Sequence, residues 1–181
     1  VTVIAKIGFD HMAILGDTLA KIAAEKAGIV KHGTALVLES QEKEAMDVLN
    51  KAAERADIKT TKVVNLDEIR ILPQKDGKQC FSYAGYDAVT MKMLGVHQYE
   101  NAVAAMLAAE LFFEKYFAGK KNVPERKALQ HAIREGIDRT QWMGRMELVS
   151  NDPFFLMDGA HNSNGVEALK KSLETMYPDE K

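Results

Sequence analysis

Apolar and polar positions along the chain follow two rhythms that alternate. Residues 1–7 form a β-branched apolar run that breaks at Gly8. Residues 17–27 then place Leu19, Ile22, Ala23 and Lys26 at i, i+3, i+4 and i+7, the spacing of one helix face. Asp17 is the candidate N-cap, because a carboxylate there accepts from an unpaired first-turn amide. Gly28 is the candidate stop, where a left-handed conformation costs glycine little. Residues 34–38 predict the next strand, and 41–56 a helix with Ala45, Val48, Leu49 and Ala52 on its apolar face. Residues 60–64 predict a third short strand. Strands and helices in this alternation predict parallel βαβ units, with helices covering the sheet.

The rhythm changes after residue 65. Short alternating runs with turn signals at Pro73, Asp76-Gly77 and Gly85 predict a small antiparallel meander over residues 65–94. A long helix is predicted over 99–117, with Val103, Met106, Leu107, Leu111 and Phe112 among its core positions. Pro124 opens another, where its missing N–H costs nothing, and that helix runs to about Glu135. Gly136 and Gly144 bracket a connector, Asn151-Asp152-Pro153 is a turn, and residues 154–157 form a strand ending at Asp158. A final helix over 165–177 carries Val166, Leu169, Leu173 and Met176 on one side. That last strand–helix unit predicts the beginning of a second domain.

Composition narrows the function classes. A net charge of −2 on 181 residues offers no electrostatic case for nucleic acid or an anionic membrane as partner. The single cysteine, Cys80, excludes an intrachain disulfide framework and fits a reducing cytoplasm. No long apolar run or signal peptide is present, and a strand-like run already begins at Val1, so the sequence reads as the middle of a longer protein.

Four separated motifs carry a resemblance. The first is Ile7-Gly8-Phe9-Asp10-His11, with Leu15-Gly16-Asp17-Thr18 and Glu25-Lys26-Ala27-Gly28-Ile29 following it. The others are Leu94-Gly95-Val96-His97-Gln98 with Asn101-Ala102, Trp142-Met143-Gly144-Arg145-Met146-Glu147, and Asp158-Gly159-Ala160-His161-Asn162. In this order and over nearly the whole chain they resemble the folylpolyglutamate and dihydrofolate synthases of the Mur ligase superfamily. The resemblance implies an α/β fold, with the parallel βαβ sheet of a Mur-ligase-type ATPase domain, a small antiparallel meander and the first strand–helix unit of a C-terminal Rossmann-like domain. It implies a division at 1–139, the later part of the ATP-binding domain, and 140–181, the connector and the start of a glutamate-ligase domain. It implies ATP and Mg²⁺ as cofactors, and folate or dihydropteroate and L-glutamate as small-molecule substrates. The parent would be a monomer.

The residue roles follow from the same resemblance. His11 would bind Mg²⁺, and Lys26 would be carbamylated by CO₂, giving an anion with two hard oxygens suited to that metal. Only a neutral amine attacks CO₂, and burial near positive charge favours that form. The residues alone leave Lys26 open between this role and an ordinary lysine whose stem covers apolar surface. Asn101 would contact the nucleotide, or simply cap its helix. Arg145 would hold phosphate oxygens with its fork, or pair at the surface with Glu147. Asp158 would touch ATP and His161 lie by the phosphates, or the pair would form a turn into a helix; loops beyond strand ends are where α/β sheets hold ligands. His97 and Gln98 share the Asn101 motif, with fixing the start of the helix as their simplest role.

One part is missing from the sequence. No G-x-x-x-x-G-K-[ST] loop is present, and Gly119-Lys120-Lys121 lacks both the earlier glycine and the hydroxyl residue. The expectation is therefore an ATP-dependent carbon–nitrogen ligase whose phosphate loop lies outside these residues, and an isolated chain without turnover. A peptidoglycan-precursor Mur ligase and a non-catalytic binding module of the same fold are the alternatives.

Overall fold

The computed structural model describes residues 1–10 and 12–178. The chain divides into two compact units, Val1–Leu66 with Val103–Pro124, and Asp67–Ala102 with Glu125–Lys181.

In the first unit, β1 (Thr2–Ile4), β2 (Leu36–Leu38) and β3 (Thr61–Val63) form a parallel sheet in that order. A four-residue helix α1 (Met12–Leu15) precedes α2 (Leu19–Ala27), and α3 (Lys43–Arg55) packs beside α2. Ile4, Ile7, Ile22, Ala23, Leu36, Leu38, Ala45, Leu49 and Ala53 form its buried core. Each fully buried Leu or Ile contributes about 1.5–3 kcal/mol from apolar area removed from water. This is the βαβ arrangement the periodicity predicts. Its strands are shorter than the apolar runs, and β1 shows why. Beyond Ile4 the backbone is paired by side chains instead of a neighbouring strand: Lys6 N–H donates to Glu39 Oε2 (2.7 Å) and Ile7 N–H to Gln41 Oε1 (2.8 Å). Gln41 Nε2 in turn donates to the Ala5 carbonyl (3.0 Å).

Both predicted ends of α2 need correction. The N-cap is Thr18, whose Oγ1 accepts from Lys21 N–H, while Asp17 makes an exposed ion pair with Lys21 Nζ at 2.8 Å. Gly28 is right-handed (φ −56°), and the helix leaves through i→i+3 bonds, among them Val30 N–H to Ala27 O (2.9 Å). A tightened last turn satisfies terminal carbonyls without a left-handed residue.

The second unit is built on the antiparallel meander β4 (Arg70–Lys75), β5 (Lys78–Tyr83) and β6 (Tyr86–Met91), with Asp76 and Gly77 both at positive φ in the first turn. Cys80 is buried in its central strand. Helix α4 (Gln98–Phe117) begins in this unit, where Tyr99 meets the Phe81 ring edge-on at 5.7 Å. Its later core position Phe112 is 60% exposed, contrary to expectation, with its ring stacked on Tyr116 of the same helix. Helix α5 (Arg126–Arg139) lies on β6 and begins later and ends later than predicted; Gly136 sits inside it and meets no neighbour. Its Asp138 accepts from Lys78 Nζ (2.7 and 2.8 Å) and Thr90 Oγ1 (2.6 Å), which ties the helix to two strands. The predicted strand β8 (Phe154–Met157) pairs antiparallel with a further strand, β7 (Glu147–Asn151), through a turn at Asp152-Pro153, and α6 (Ser163–Met176) follows. No helix among the described residues is long and apolar enough to cross a membrane.

Candidate functional site

The site in the second unit starts from a glutamine in the middle of the meander. Gln79, 1% exposed, donates from Nε2 to the carbonyls of Met93 (3.0 Å) and Gly95 (3.1 Å) and accepts from Gly95 N–H (3.3 Å). One side-chain amide thus grips the turn that follows β6. Gly95 has φ +114°, and a Cβ there would stand 2.8 Å from His97 Cε1 and 3.0 Å from Met146 Sδ. Glycine both adopts this backbone and lets the imidazole lie against it. The next residue is held from α6: Val96 N–H donates to the Oγ of buried Ser172 (3.0 Å), which itself donates to Ala168 O (2.7 Å).

These contacts set His97 at the start of α4. Its Nε2 is 3.1 Å from Gln98 Nε2, and Gln98 Oε1 accepts from Asn101 Nδ2 at 3.0 Å. His97 Nδ1 is buried with no hydrogen-bond partner. Burial pushes the imidazole below the usual histidine range; the Asp158 charge opposes that shift and the Arg145 charge adds to it. Asn101 is exposed in the first turn of the helix.

Asp158 lies just past β8 and staples two loops. Its Oδ2 accepts from Met146 N–H (2.8 Å) and its Oδ1 from Ala160 N–H (2.8 Å), while Gly159 N–H donates to Gly144 O (2.8 Å). Glu147 accepts from Gly144 N–H (2.8 Å), so its carboxylate holds the bend. Arg145 is exposed on that bend, and a Cβ at Gly159 would come within 3.7 Å of its Nη1. His161 is exposed; its Nδ1 carries a proton toward Gly159 O at 2.9 Å, since a carbonyl only accepts. Asn162 caps α6 by accepting from Gly165 N–H (2.8 Å).

The second unit therefore brings Arg145, Asp158 and His161 onto stapled neighbouring loops, with His97 inside the field of the first two and Asn101 joined to His97 through Gln98. Arg145 supplies an anion-binding fork, and Asn101 supplies an amide that can meet a nucleobase edge. The turn reading of Asp158 is also realised, since both of its oxygens accept backbone N–H groups.

Lys26 belongs to the first unit. It is exposed in the last turn of α2, where a cation suits the helix dipole, as an ordinary lysine reaching to water would be. His11 lies outside the described residues. Among the described residues no group of three His, Cys, Asp or Glu side chains is arranged to hold a metal ion. Gln79, Ser172 and Met146, which position the site, escape sequence reasoning. Every residue from Gln79 to Tyr83 is buried, so no alternation marks the polar one, and Ser172 sits unmarked among charged helix neighbours.

Comparison with known proteins agrees with the motifs. The dihydrofolate synthase/folylpolyglutamate synthase of Bacillus subtilis is 35% identical, over 97% of this chain and 40% of its own length. The chain thus spans well under half of that relative. A solved folylpolyglutamate synthase of Mycobacterium tuberculosis, complexed with ADP and AMPPCP, superposes with TM-score 0.74 at 30% identity, over 94% of this chain and 38% of that one. An FPGS–AMPPCP–folate complex gives TM-score 0.84 over 97% of this chain and 42% of that one; at 23% identity it speaks to the fold alone. The Mur ligase middle domain model matches residues 1–109, more than half the sequence, and the chain belongs to that family.

Proposed function

We propose that this chain forms part of an ATP-dependent ligase that joins L-glutamate to folate or dihydropteroate. ATP would phosphorylate the acceptor carboxylate and release ADP; the glutamate amine would then attack the acyl phosphate and displace phosphate. In this reading Arg145 faces the phosphates, His161 lies beside them as a catalytic residue together with Lys26, Asp158 touches ATP, and Asn101 meets the base. His11 and carbamylated Lys26 are the Mg²⁺ ligands, and Lys26 is the group on which turnover depends. The division at 139/140, a monomeric parent and a cytoplasmic setting belong to the same reading. What supports it most is the stapling of the Arg145 bend to the Asp158–His161 loop, with Asn101 linked to them through Gln98 and His97.

The test is a substrate screen on the full-length protein with ATP, Mg²⁺ and L-glutamate. ADP release with a glutamylated folate or pteroate is expected, and a mass increase of one CO₂ on Lys26. Lys26→Ala should lower turnover by about two orders of magnitude or more, as for loss of a group acting in the transition state. Turnover only with muramyl nucleotides would move the protein to the peptidoglycan ligases, and no ATP binding would leave a scaffold.

A further inference from the structure

The chain of hydrogen bonds from His97 to Asn101 has a direction. A glutamine amide has one accepting and one donating end, so bonding at both ends fixes its orientation. Gln98 presents Oε1 to the Asn101 amide nitrogen and Nε2 to the imidazole. A donor faces His97 Nε2, which must then be the bare, accepting nitrogen. The ring proton is left on Nδ1, in the pocket closed by Gly95 and Met146. Protonating Nε2 would set two donors against each other, so the ring has to stay neutral for this arrangement to hold. At the other end, Asn101 turns its nitrogen inward to Gln98. Its Oδ1 takes no part in that bond, and on an exposed residue it is the atom left to meet a ligand. Reversing the chain would require the other imidazole tautomer and would present an N–H₂ group instead.

We infer that His97, acting through Gln98, is a specificity-determining positioning residue: it holds the Asn101 amide so that an acceptor faces the ligand, matched to a nucleobase carrying an exocyclic amine and mismatched to one carrying a keto oxygen there. This rests on the ATP reading above. The probes are ATP and ITP: the second carries a keto oxygen at C6 in place of the amine, and with it a proton on ring N1, so the His97 variants are what isolate the effect.

Two measurements on the full-length protein test it. Long-range ¹H–¹⁵N spectra read the His97 tautomer directly; a neutral ring with the proton on Nδ1 is expected, and a proton on Nε2 overturns the inference. Competitive binding reads the selectivity. Wild type should prefer ATP over ITP by about tenfold or more, the scale of one hydrogen bond replaced by two opposed acceptors. His97→Phe, which fills the pocket but accepts nothing, should shrink that ratio to within about threefold of unity, and His97→Asn, which restores an acceptor, should recover part of it. An unchanged ratio in His97→Phe with ATP still bound overturns this inference alone. Failure of wild type to bind ATP overturns the nucleotide reading, and this one with it.

Discussion

Gly95 shows how much a single residue can carry. It combines a positive φ with a position where any Cβ would collide with the His97 ring and the Met146 sulfur. Gly95→Ala adds backbone strain to overpacking, and should destabilise the protein by about 2–4 kcal/mol in urea unfolding. The motif Leu94-Gly95-Val96-His97 makes this glycine visible in the sequence. What it lies beside is not visible, because Met146 is far along the chain and is held by a bond to the still more distant Asp158. Asn101, Arg145, Asp158 and His161 were all legible as candidates, since each sits in a motif. Gln79 and Ser172 were not, because their role is to satisfy backbone groups of a turn that exists only once the strands have paired.

At the level of elements, α2 separates pattern from cap. The apolar spacing places the helix correctly, and Ile22 and Ala23 are buried as it predicts. Asp17 and Thr18 are both acceptable caps by type, and backbone geometry decides between them: Thr18 is extended (φ −131°, ψ 151°) and bonds Lys21 N–H. Thr18→Ala should therefore cost about 1 kcal/mol. Asp17→Ala should leave the thermal midpoint near wild type, since its ion pair with Lys21 is solvent-exposed. The hairpin β7–β8 makes the same point about pairing. Residues 147–151 carry no strong alternation, and become a strand because Phe154–Met157 supplies a partner across a short turn.

For the whole molecule, His97 and Asp138 each tie stability to pH. His97 is held below the usual histidine value of about 6.5, so the unfolded chain takes up its proton first as pH falls. Its contribution is complete above that value and is lost as pH drops through the folded one. Asp138 is held below the usual carboxylate range by its bonds from Lys78 and then Thr90, so its contribution persists to lower pH and is lost only as its own folded value is passed. Urea midpoints should fall in two steps on acidification. The upper step should be absent in His97→Asn and the lower one in Asp138→Asn; a single step in wild type would show that one of these groups is not linked to unfolding.

The sequence by itself determined the alternation of elements, the parallel sheet followed by a meander, and the motifs shared with this family. Those depend on local periodicity and on residue types that recur at fixed spacing. Only the tertiary structure decided which polar groups answer one another. Gln79 grips Gly95, Asp158 staples Met146, and Gln98 joins the His97 ring to the Asn101 amide. A hydrogen bond between residues far apart leaves no periodic trace, because its geometry is set by how the packed elements meet.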